Sequence, residues 1–190
     1  MQRKPIPLDL LLGSLVLILG LGWIGLSRAD ALEVTNGGIA APRQGFLAPD
    51  FELENSSGEI VRITSLRGRP VMLNVWASWC GPCRAEMPAM QRVYETYHSQ
   101  GLEILAVNST SQDTRQDALA FAESLGLRFP ILFDDEGQVA RLYQVNALPT
   151  TFFIDAQGLI RDVVIGGPMA EALLRVRVEQ LLTAPPEEGK

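Results

Sequence analysis

From Val71 to Trp76 the chain reads VMLNVW, apolar except for Asn74. After Ala77-Ser78-Trp79 it reaches Cys80-Gly81-Pro82-Cys83 and then a helical pattern. So short an apolar run, ending at a turn, fits a central strand covered on both faces. From about Cys80 to His98, Met87, Met90, Tyr94 and Tyr97 recur at helical spacing, so this helix lays one apolar face on the sheet. Pro88 inside it is expected to kink it. A buried strand feeding such a helix restricts the chain to an α/β architecture.

The remaining segments extend that plan. Phe51 to Leu53 and Ile60 to Ile63 alternate around Asn55-Ser56-Ser57-Gly58 and read as a β-hairpin. Glu103 to Val107 is the next strand. Asp113-Thr-Arg-Gln116 reads as a helix cap with its reciprocal Gln, and Leu119, Ala122 and Leu125 line a face before Gly126 ends the helix. Ile131 to Phe133 is a short strand, and Gly137 to Tyr143 a short helix. Thr150 to Ile154 and Ile160 to Ile165 are strands joined at Asp155-Ala-Gln-Gly158, and Glu171 to Leu182 closes the chain as a helix. Strands alternating with helices, then an antiparallel pair, give a mixed central sheet flanked by helices.

Leu10 to Leu26 holds no charge and is preceded by Arg3 and Lys4. A helix of that length spans about 26 Å, within reach of a bilayer core. Residues 1–28 therefore read as a transmembrane anchor or signal segment. Ala29-Asp30-Ala31 offers a cleavage site, but the apolar run is longer than a signal peptide needs, which favours the anchor. The basic flank keeps the N-terminus in the cytoplasm and places the domain on the extracytoplasmic, periplasmic side of the inner or plasma membrane. Residues 29–45 read as a linker, 46–184 as the domain and 185–190 as a tail. A net charge of −6 argues against a nucleic-acid footprint.

The chain has two cysteines and one histidine. Cysteines this close cannot close a long loop, so they matter as chemistry, and no other ligands complete a zinc cage. No metal and no cofactor are expected. Cys80 falls where a strand ends and a helix begins, where unpaired N–H groups and the helix dipole favour a thiolate, the attacking species. Cys83, one turn on, is placed to resolve a mixed disulfide, and Gly81 and Pro82 set how the small ring closes. Trp79 offers an apolar rim for substrate, whereas Trp76 reads as core. Arg84 reads as solvated surface and His98 as a charge at a helix end.

Asn74-Val-Trp-Ala-Ser-Trp-Cys-Gly-Pro-Cys83 resembles the active-site strand and turn of thioredoxins. Pro88 and Leu148-Pro149-Thr150 match that family's helix proline and cis-proline segment. Ala48-Pro49-Asp50-Phe51, the additional helix and strand between Val107 and Phe133, and Thr-Thr-Phe-Phe-Ile-Asp at 150–155 resemble the TlpA/ResA-like membrane-anchored thiol–disulfide oxidoreductases. The resemblance implies a thioredoxin fold with an N-terminal β-hairpin and a helix/strand insertion. It implies a cis Pro149 beside the cysteines, with the Leu148 backbone offered to an incoming strand. Asn74 stands where the commonest thioredoxin pattern has an Asp that exchanges protons with the second cysteine. Asn cannot titrate, and Glu86, one turn beyond Cys83, matches a glutamate that ResA-like proteins carry.

The resemblance implies a reductant of client disulfides, recharged by a membrane electron-donor reductase. Its clients would be apocytochrome c or the copper-site subunit of an oxidase. A disulfide-forming oxidant would share the fold. A copper-binding assembly module would need a further ligand, for which His98 is poorly placed. A peroxidase would keep a hydroxyl three residues before its cysteine, where Ala77 stands.

Overall fold

A computed structural model describes residues 38–183. The expected anchor, most of the linker and the tail lie outside the described residues. Among the described residues no helix is long and apolar enough to cross a membrane.

Among the described residues, seven strands and four α-helices follow in the order β1 (Glu52–Glu54), β2 (Ile60–Arg62), β3 (Val71–Trp76), α1 (Gly81–Tyr97), β4 (Glu103–Asn108), α2 (Arg115–Ser124), β5 (Ile131–Phe133), α3 (Gln138–Leu142), β6 (Thr150–Ile154), β7 (Ile160–Ile165) and α4 (Glu171–Thr183). The main sheet has the order β5-β4-β3-β6-β7. β3 is parallel to β4 and antiparallel to β6, and β1 pairs with β2 in a separate hairpin. The apolar run from Val71 to Trp76 is thus the middle strand, and every residue of it is buried.

Alternation along that strand sorts the core. Met72 and Trp76 pack with Met87 and Met90 of α1, Phe121 of α2 and Leu174 of α4 on one face. Leu73 and Val75 pack with Phe51 and Leu53 of the hairpin segment, Val139 of α3 and Tyr143 on the other. Each such side chain, fully buried, contributes about 1.5–3 kcal/mol. Asn74 shares the face of Met72 and Trp76, so its amide is directed toward α1.

Both sheet edges are partly covered, as open edges invite pairing with other chains. The hairpin lies against β5 through an Asn55–Leu132 bridge and a Ser56 N–H bond to the Ile131 carbonyl. At β7, Gly45 and Phe46 exchange hydrogen bonds with Ile160. The helix α1 continues through Pro88 to Tyr97. Two details of α2 differ from expectation. Its N-cap is Thr114, whose hydroxyl accepts the Asp117 N–H at 3.0 Å, so Asp113 is freed for another task. Its buried residues are Ala118, Phe121 and Ala122, while Leu119 is exposed. Gly126, at φ 62°, ends the helix as expected because that left-handed turn favours a residue without Cβ.

Candidate active site

Strand β3 delivers the chain to a tight turn in which the Cys80 N–H bonds the Ala77 carbonyl at 3.1 Å. Cys80 has extended backbone and caps α1, its sulfur accepting the Cys83 N–H at 3.2 Å. The two cysteines form a disulfide with a Cα–Cα separation of 5.3 Å. Cys80 is 5% exposed and Cys83 wholly buried. Gly81 and Pro82 form the exposed first positions of α1. A Cβ at Gly81 would meet nothing within 4 Å, so crowding does not dictate that glycine.

Leu148-Pro149 is cis, as the resemblance implied, and Gly167-Pro168 is cis as well. Pro149 is buried, with its carbonyl accepting the Gly166 N–H at 2.7 Å, and Leu148 is half-buried. A groove of about 360 Å³ runs beside the disulfide, lined among others by Trp79, Cys80, Pro82, Gln112, Val145 and Leu148. Cys83 does not line it. Trp79 is 58% exposed, and its indole N–H bonds the Gln112 carbonyl at 2.9 Å. Trp76, by contrast, is core against Phe121.

Beneath the disulfide, Glu86 is fully buried on the same face of α1 as Cys83. Its Oε1 accepts the Asn74 amide at 2.9 Å, and its Oε2 accepts the Met169 backbone N–H at 3.1 Å. The other Asn74 hydrogen goes to Thr151 Oγ1 at 2.9 Å. Burial pushes the Glu86 carboxyl above its ordinary value, and the bonds from Met169 and Asn74 pull it part of the way back. The residue at the position of the usual thioredoxin Asp therefore holds the carboxylate supplied by α1. An Asp there would face Glu86 with like charge.

Several residues of this site were not legible beforehand. Gly167 has no room for a side chain: a Cβ would lie 2.8 Å from Glu86 Oε2 and 2.8 Å from Pro149 Cγ. Asp113, expected as a helix cap, instead reaches the turn before Cys80, where its carboxylate accepts the Ser78 N–H at 2.6 Å and the Ser78 hydroxyl at 2.7 Å. Arg84 is exposed but not merely solvated. It lies 4.3 Å over the Phe121 ring and donates to the Ser78 carbonyl at 3.1 Å.

A dithiol–disulfide pair at a helix N-terminus, beside a cis-proline on this sheet, defines a thiol–disulfide oxidoreductase of the thioredoxin fold. Known proteins agree. Residues 45–163 match the model of the AhpC/TSA family. ResA of Geobacillus thermodenitrificans, a thiol-disulfide oxidoreductase, is 45% identical over 122 residues, 64% of this chain and 69% of that protein. ResA of Bacillus subtilis is 37% identical over 160 residues, 84% of each chain. The crystal structure of StoA from Bacillus subtilis superposes with a TM-score of 0.60 at 29% identity, covering 68% of this chain and 96% of that one. The chain belongs to the AhpC/TSA family, as a TlpA/ResA-like thiol–disulfide oxidoreductase.

Proposed function

We propose that the protein is a reductant of client-protein disulfides outside the cytoplasm, held to the membrane by residues 1–28. The observation that carries the mechanism is the asymmetry of the pair. Cys80 lines the groove, whereas Cys83 is buried on the Glu86 side. In the reduced protein, the Cys80 thiolate attacks one sulfur of a client disulfide. A mixed disulfide forms, and the other client sulfur leaves as a thiolate that takes a proton from solvent. Glu86 accepts the Cys83 proton, the Cys83 thiolate attacks Cys80 and closes the 80–83 bond, and the second client thiolate leaves and is protonated from Glu86 or solvent. A carboxyl lifted by burial is closer in acidity to a thiol and so better matched for this exchange.

Trp79, Gly81, Pro82, Leu148 and Pro149 form the client-binding surface in this reading. The client lies extended in the groove and pairs with the Leu148 backbone. The domain, residues 46–184, is tethered through the linker 29–45. The oxidised protein is recharged by a membrane reductase, and the clients are the haem-attachment cysteines of apocytochrome c or the copper-site cysteines of an oxidase. The resemblance to ResA-like proteins supports the client class. A Cys83→Ser variant expressed in cells is expected to accumulate mixed disulfides, separable on non-reducing gels, while Cys80→Ser accumulates none. Wild-type turnover by either variant would overturn the mechanism.

A further inference from the structure

The turn that carries Cys80 is gripped by the segment following β4. The Ser109 N–H bonds the Trp76 carbonyl at 2.8 Å, at the end of β3. The Asp113 carboxylate accepts four hydrogen bonds, from the Ser78 N–H (2.6 Å), the Ser78 hydroxyl (2.7 Å), the Asn108 amide (2.8 Å) and the Thr114 N–H (2.9 Å). Burial alone would raise this carboxyl, but the bonds from Asn108, Ser78 and Thr114 outweigh it and hold Asp113 below the ordinary range. The adjacent Gln112 carbonyl receives the Trp79 indole. Arg84 holds the carbonyl side of Ser78, so the Ser78 residue is fixed at both its N–H and its C=O.

Trp79 is a large, exposed ring on one wall of the groove. Ordering a mobile side chain on binding costs conformational entropy, a cost that a ring already fixed avoids. We propose that Asp113 is a positioning residue for client recognition: by locking Ser78 it aims Trp79 as a preformed wall of the groove beside Cys80. The inference rests on the groove being the client site. Asp113 acts on the wall and not on the sulfur, so a small disulfide that has no use for the groove reacts as before.

The test follows single turnovers of the reduced full-length protein in excess probe, with the half-saturating probe concentration read as KM and the limiting rate as kcat, and uses two probes. One is an extended peptide of about ten residues whose central cysteine is capped with 2-nitro-5-thiobenzoate, spanning about 33 Å. The other is the symmetrical small disulfide of the same capping thiol. With both, attack by Cys80 expels the coloured thiolate. Asp113→Ala is expected to raise KM for the peptide about five- to tenfold, with kcat for the peptide and the small-disulfide rate within about twofold of wild type. Asp113→Asn should recover part of the KM. Trp79→Ala should also raise the peptide KM, and adding Asp113→Ala to it should raise KM no further, because the two act through one side chain. An unchanged KM in Trp79→Ala would overturn the groove reading and this proposal with it. If Trp79→Ala raises KM, the proposal alone is overturned by any of three results: an unaffected Asp113→Ala, additive effects, or an equal loss on the small disulfide.

Discussion

Replacing Glu86 by Gln removes the ionisable carboxyl from beneath the disulfide while keeping the side chain's size and one of its two acceptor bonds, that from Asn74 or that from Met169. The expected defect lies in resolution, the step in which Cys83 must shed a proton in a buried site. A thiol with an ordinary value of about 8.5 is only about 3% ionised at pH 7. Without a proton acceptor, the resolving attack is limited to that fraction, so release should slow roughly 30-fold at pH 7, somewhat below the 10²–10⁴ range typical of general acid–base catalysis. The deficit should shrink as pH rises and be nearly gone about one unit above the thiol's own value, where solvent removes the proton unaided. The assay is single-turnover release of a fluorescent peptide from a preformed Cys80 mixed disulfide, followed from pH 6 to 10. Release at the wild-type rate at pH 7, or a deficit that stays constant across that range, would refute the assignment of Glu86 as the acceptor.

The same buried carboxylate governs three further expectations. Because Glu86 titrates above its ordinary value of 4.5 when folded, its contribution to stability is complete below that value and is lost as pH rises toward the raised one. In urea unfolding, the stability of wild type relative to Glu86→Gln should fall across that window, by at most about 1.4 kcal/mol per pH unit. Asn74→Asp would set a second carboxyl against Glu86 and leave its Oε1 without the amide donor. One of the two should then stay protonated to a higher pH than Glu86 does in the wild type, seen as a carbonyl stretch of a neutral acid in infrared difference spectra. Gly167→Ala would press a methyl group against Glu86 and the Pro149 ring, costing about 1–3 kcal/mol by denaturant unfolding, whereas Gly81→Ala, facing open space, should cost far less.

The middle of the sheet was readable because its signals are local. A six-residue apolar run, a turn and an amphipathic helix leave little choice, and the cysteines sit at the junction between them. The hairpin and the β6–β7 pair were legible for the same reason, each punctuated by its own turn. The helix α2 was placed correctly but its buried face was misjudged. It is alanine-rich and ten residues long, so two faces look equally apolar until Trp76 and Arg84 select the one bearing Phe121. Asp113 illustrates a second limit. A short acidic residue just before a helix is an ordinary cap, and only the fold brings Ser78, 35 positions earlier, within its reach. Gly167 lies in a Gly-Gly-Pro turn that says nothing of why a side chain is excluded. The exclusion comes from Glu86 and Pro149, distant in sequence, meeting beneath the loop.

The central claim is that this pair gives electrons rather than takes them. The most direct test equilibrates the full-length protein in graded thiol/disulfide buffers and traps free Cys80 and Cys83 with an alkylating agent. A midpoint potential near or below about −230 mV is the result expected of a reductant recharged through the membrane. A value near about −120 mV, roughly 5 kcal/mol away for a two-electron couple, would mark a disulfide-forming oxidant and contradict the account.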